Sequence, residues 1–124
     1  METLRVVLYH NDPRTAQTLA VSLSQHFDSV HLARSYEEVC LAVTRQRADV
    51  LVLDLETSGA GEVERLHREF PGLCIVGTHR LADDELWTNA VNHGASDICV
   101  PRQDDVVRSV LHSVSHGLTH HAAA

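Results

Sequence analysis

Five short apolar runs, each followed by an amphipathic segment, constrain this chain more than any other feature of its sequence. The runs are Leu4–Tyr9, Ser29–Ala33, Val50–Leu53, Leu73–Thr78 and Asp97–Val100. They are rich in Val, Ile and Leu, and nearly continuous rather than alternating. That is the pattern of strands covered on both faces.

The segments between the runs carry helix start and stop signals. Asp12 is placed to cap a helix whose first residue is Pro13, with Ala16, Leu19, Ala20 and Leu23 on one face. Ser35 and Glu38 form a capping-box pair ahead of Val39, Ala42 and Val43. Gly61 to Phe70 presents Val63, Leu66 and Phe70. Asp83 to His93 presents Leu86, Trp87, Ala90 and Val91, and Gly94 closes it. Gln103 to His116 carries Val106, Val107, Val110, Leu111 and Val114, more apolar residues than one stripe needs.

Strand and helix alternating five times predict a parallel sheet with helices on both faces. Right-handed crossovers leave few topologies. The expected fold is an α/β, flavodoxin-like three-layer sandwich: five parallel strands in the order 2-1-3-4-5 with five helices. A chain of 124 residues, 44% hydrophobic, fits one such domain. Its expected limits are 1–117, with a flexible tail over 118–124. His116, His120 and His121 fall at that end, where Gly117 and the closing alanines argue against a metal-binding helix face.

Charge and composition exclude several functions. The formal net charge is −7, and no Lys- or Arg-rich run offers a surface for phosphates, so no nucleic-acid contact is expected. No apolar run approaches the roughly 18 residues of a membrane span. No leader pattern precedes the first run. Cys40, Cys74 and Cys99 lie in apolar segments, far apart, and read as buried thiols of a reducing cytoplasm. A cytoplasmic location is the expectation.

In an open parallel sheet, function gathers at the carboxyl ends of the strands. Here those ends carry His10, Asn11, Asp12, Asp54, Glu56, Thr78, His79, Val100 and Pro101. A carboxylate just past "VLVL" is costly to bury without donors or a cation. Asp54 is therefore expected at a solvent edge, or paired with His10 or His79. No Gly-rich phosphate loop follows the first strand, since "YHNDPRT" lacks glycine. No nucleophile with a base at hand sits at a strand-to-helix turn, so no enzyme activity is expected.

In their order and spacing, "VVLYHNDP", "ADVLVLDLETSGAGEVERL", "CIVGT" and "NHGASDICVP" resemble the response-regulator receiver domains of two-component signalling. The resemblance runs from Leu4 to about His116. It implies that Asp54 stands at the phosphoacceptor position and Thr78 at the position that contacts the phosphoryl group. It also implies a cis proline at Pro101.

The departures from that family are as informative. The family holds Mg²⁺ with an acidic pair at the end of the first strand, and here those positions are His10 and Asn11. A hard cation wants anionic oxygen. Asp12 stands one position late, where capping the helix is its expected role, and the Glu56 side chain offers a substitute carboxylate. The family's Lys before the proline is Val100 here, and its aromatic switch residue is missing from Asp97-Ile98-Cys99. The region from Asp54 to Thr78 is about one helical turn shorter than the family's.

Three functions follow as expectations. The first is an atypical receiver that acts through regulated protein–protein contact or dimerisation, without efficient Mg²⁺-dependent phosphorylation and with no cofactor. Its partner would be a histidine kinase, an output protein or a second copy, and Trp87 beside the last helix is the interface candidate. The second is a phosphorylatable receiver using Asp54, with Asp12 or Glu56 as substitute Mg²⁺ ligands. The third is a flavodoxin-like small-ligand or metal-binding module, in which His10 and His79 would favour Zn²⁺ or Cu²⁺.

Overall fold

In the computed structural model of the chain, all five apolar runs pair into one parallel sheet. The strands are β1 (Glu2–Tyr9), β2 (Phe27–Ala33), β3 (Val50–Asp54), β4 (Cys74–Thr78) and β5 (Asp97–Cys99). Their order is β2-β1-β3-β4-β5, as the alternation predicts. Five helices connect or follow them: α1 (Pro13–Ser24), α2 (Tyr36–Gln46), α3 (Ala60–Glu69), α4 (Asp84–Asn92) and α5 (Gln103–Ala123). The structure describes residues 3–115 in full and only the backbone of 2 and 116–123. The tail expected over 118–124 and the His116, His120 and His121 group lie outside the fully described residues.

Strand pleat divides the core in two. Val7, Leu51, Leu53 and Ile75 face α2, α3 and α4 and pack on Val39, Val43, Val63 and Leu66. Their neighbours Val6, Leu8, Val50, Val52 and Val76 face α1 and α5 and pack on Leu19, Leu23, Val106 and Val110. Successive side chains point to opposite faces, so a strand with a core on each side must be apolar throughout. All five residues of β3 are buried. Truncating one of these leucines to alanine would cost about 2–5 kcal/mol.

The helix ends follow the capping signals closely. Asp12 caps α1 and accepts from the Thr15 backbone N–H at 3.2 Å, with Pro13 at the first helical position. Ser35 caps α2 through the Glu38 N–H at 3.2 Å. The return half of that box differs from expectation. The Glu38 carboxylate accepts from Arg34 N at 2.8 Å instead of from Ser35. On α3, Glu62 supplies only the return bond, accepting from Gly59 N at 2.8 Å.

Three further expectations are corrected. The second strand starts two residues early, at Phe27, whose ring is 1% exposed. The cysteines are free but only partly buried; burial is nonetheless deep enough at Cys99 to push its thiol up to about 12. Pro101 is not preceded by a cis bond, and no cis peptide occurs among the described residues. The Val100–Pro101 corner is trans. The carbonyl of Val100 accepts from Arg102 N at 2.7 Å, closing a tight turn around the proline and leading directly into α5. Trans is also the intrinsically favoured isomer of an X-Pro bond, by about 0.5–1 kcal/mol.

Gly94 ends the α4 turn with φ at +115°, a region that L side chains rarely adopt. A Cβ there would stand 2.6 Å from His67 Cβ, the rigid base of that side chain. Gly94→Ala should therefore lower the urea midpoint, by about 1–3 kcal/mol of stability. Adding His67→Ala should relieve only the contacts with the ring atoms, because alanine keeps the Cβ, and should leave the backbone strain. A midpoint equal to wild type would show that the turn can re-form without a glycine.

Candidate functional site

The carboxyl edge of the sheet converges on Asp54. It closes β3 beside Thr78, its register partner on β4. Both are buried, Asp54 at 2% and Thr78 at 1% exposure. A carboxylate so placed needs donors, and two loops supply them. Asn11 N donates to Oδ2 at 3.1 Å from the β1–α1 loop, and Glu56 N donates to Oδ1 at 2.9 Å from the β3–α3 loop. Asp54 is thus a knot between two loops.

Glu56 carries the tie to a third loop. Its carboxylate accepts from Arg80 Nε at 2.8 Å and from Arg80 N at 3.3 Å, which binds the β4–α4 loop. The hydrogen bond from the Arg80 side chain holds the Glu56 carboxyl below its ordinary value of 4.5. The glutamate side chain is 22% exposed. Arg80 was not among the residues that the sequence singled out. A lone arginine in a loop two residues past a strand has no pattern to distinguish it.

Packing reinforces these ties. Leu55 donates its N–H to Thr78 O at 2.9 Å. Its side chain lies across Gly77, where an added Cβ would overlap Leu55 Cδ1 and come within 2.7 Å of Cγ. Only glycine at this position of β4 leaves the slot that seats the leucine.

His10 behaves differently from expectation. Its Nδ1 lies 3.9 Å from Asp54 Oδ2, but the same nitrogen accepts from Asp12 N at 3.1 Å. That bond needs a lone pair on Nδ1, which puts the ring proton on Nε2. Two acceptors face each other across the 3.9 Å gap, so this is not an ion pair. His10 Nε2 is itself buried without a partner, as is Thr78 Oγ1. His79 turns to its own loop and accepts from Leu81 N at 3.0 Å. The two histidines do not converge, and among the described residues no group of three His, Cys, Asp or Glu side chains is placed to hold a metal.

A cavity of about 460 Å³ opens at this edge, lined by His10, Asp12, Asp54, Glu56, Arg80 and Pro101 among others. Val100 does not line it. The donor set does not fit Mg²⁺. Asp12 has its carboxylate on Thr15, accepting from Oγ1 at 2.6 Å, and that bond lowers its pKa. Glu56 is bound to a guanidinium, and both Asp54 oxygens accept backbone amides. Asp12 is drawn to its own helix start, and the one arginine of the cavity would repel a dication.

No family model matches the sequence, and no curated protein matches it significantly. Solved structures do match. NtrX from Brucella abortus, solved in complex with ADP, superposes with a TM-score of 0.85 at 14% identity over 98% of this chain. This chain spans only 28% of the length of NtrX. A response regulator from Thermotoga maritima gives a TM-score of 0.81 at 22% identity, covering 91% of this chain and 98% of that one. The signal receiver domain of NarL from Mycobacterium tuberculosis gives 0.76 at 18% identity, covering 90% and 96%. The chain therefore has the receiver fold.

Two outcomes follow from the loop knot. Asp54→Ala strands two backbone donors and should cost about 1–3 kcal/mol by urea unfolding. Asp54→Asn keeps one acceptor and should cost less, and an Asp54→Ala variant as stable as wild type would deny Asp54 its structural role. Glu56 has a depressed folded pKa, so its stabilisation is present above about pH 4.5 and is lost as pH falls through the folded value. Stability against pH should show that acid limb in wild type, and Glu56→Gln should flatten it.

Proposed function

We propose that this chain is a receiver-type signalling domain whose state is set by a protein partner or by self-association, and not by Mg²⁺-dependent phosphorylation. The observation that carries this reading is the occupied donor set at the strand tips. Asp12, Asp54 and Glu56 are each committed to hydrogen bonds within the chain, and Arg80 supplies the positive charge beside them. Phosphoryl transfer relies on charge neutralisation and preorganised donors around the acceptor. The side chains of His10, Asn11 and Val100 supply no anionic metal ligand and no lysine ammonium.

One observation favours the phosphorylatable alternative. Thr78 stands next to Asp54 in register, with its hydroxyl buried and unpartnered. A small phosphodonor with Mg²⁺, read by intact mass, separates the two readings. No adduct is expected on wild type. Each missing donor for a developing oxyanion slows such a step by roughly 10²–10³. The variant His10→Asp/Asn11→Asp/Val100→Lys, combined with Arg80→Ala, should gain Mg²⁺ binding. A wild-type adduct abolished by Asp54→Asn would establish the phosphoswitch instead.

The contact surface in this reading is α4 with α5. Trp87 is 45% exposed and Leu111 38%. The Trp87 indole N–H donates to Asp97 Oδ1 at 3.0 Å, and Asp97 Oδ2 accepts from Ser109 Oγ at 2.6 Å. One carboxylate thereby fixes both helices to β5 and holds the indole in place, so little side-chain freedom is lost when its open face is covered. A histidine kinase, an output protein or a second copy are the partners this surface suits. Light scattering on wild type and Trp87→Ala tests the second copy, and the same mass at all concentrations would leave a heterologous partner.

A further inference from the structure

The opposite edge of the sheet holds a second cavity, remote from Asp54 and independent of the reading above. Its volume is about 370 Å³, within the range of small-molecule pockets. Cys74 begins β4, Ser96 precedes β5, and Ser113 lies on α5; all three line it. Cys74 Sγ donates to Ser96 Oγ at 3.3 Å. Ser113 is 6% exposed, and its hydroxyl is buried without a hydrogen-bond partner. The Cys74 sulfur is the group that Ser113 meets, and a thiol is only a weak acceptor, so the hydroxyl keeps capacity for a stronger partner.

The charge of the lining restricts what can complete it. Leu4, Leu73 and Val114 give apolar walls, and no Lys or Arg lines the cavity. Asp49 brings its only carboxylate, and that group already accepts from Arg5 N at 2.9 Å. His67 also lines the cavity, so a phosphate or carboxylate would find one imidazole, no Lys or Arg, and the Asp49 carboxylate nearby. Burial holds the Cys74 thiol above its ordinary value, which suits a hydrogen-bonding thiol and not a nucleophile.

We infer that the cavity framed by Cys74, Ser96 and Ser113 is a binding site for a small neutral heterocycle carrying both a donor and an acceptor. The apolar walls would take the ring, and the hydroxyl and thiol groups its polar edge. Amides assigned in ¹H–¹⁵N spectra of the full chain can be titrated with nicotinamide and adenine, and with benzoate as the anionic control. Saturable shifts confined to Gly72, Leu73, Gly94, Ser96 and Ser113 are expected for a neutral probe and not for benzoate. Ser113→Ala should weaken binding about fivefold, the worth of one hydrogen bond. Gly72→Phe offers a second variant, since a Cβ at Gly72 meets nothing within 4 Å and the ring would block the mouth. Shifts that never saturate, or that persist unchanged in Gly72→Phe, would overturn the site, and equal binding of benzoate would overturn its charge selectivity.

Discussion

A strand with no exposed face governs this molecule. Every residue of β3 is buried, the last of them an aspartate. The four apolar residues are satisfied by cores on two sides. The carboxylate is not, because an ionised group out of water costs several kcal/mol unless donors surround it. It takes those donors from the backbones of two flanking loops. The strand thus fixes the sheet order through its central place and the shape of the functional edge through its final residue. Loops are otherwise the least determined part of such a fold.

The two loop amides explain how Asp54 is tolerated where it is buried. Backbone amides stabilise a carboxylate as fixed dipoles, without bringing in a mobile ion. The Glu56–Arg80 pair extends the same principle outward. An isolated exposed ion pair contributes little, but this one also receives the Arg80 backbone N–H, so it holds a loop and not merely a side chain. A shared fold does not by itself carry shared chemistry.

The architecture was legible in the sequence because its signals are local. Alternation of runs, the Asp12 and Ser35 caps and the Gly94 turn each operate within a few residues. Phe27 escaped because a single aromatic two residues ahead of a run reads equally as a helix end. The site was less legible. Its members could be placed at the strand tips, but their partners depend on how three loops meet. His10 turned to Asp12 N and His79 to Leu81 N, both backbone contacts that composition cannot announce. Pro101 follows the intrinsically favoured trans isomer where the resemblance implied cis. Arg80 went unseen because its significance lies entirely in the side chain it meets.

The seat that Gly77 leaves for Leu55 has an evolutionary consequence. Two positions, one on β4 and one just past the end of β3, share one volume, so neither can drift in size alone. A lineage that enlarges residue 77 must shrink residue 55, or else lift the β3–α3 loop and detach Glu56 N from Asp54. The pair should therefore covary among descendants that keep this edge intact, and it should uncouple in those that abandon it. Whether a relative has retained the arrangement would then be readable from two letters of its sequence, neither of them polar.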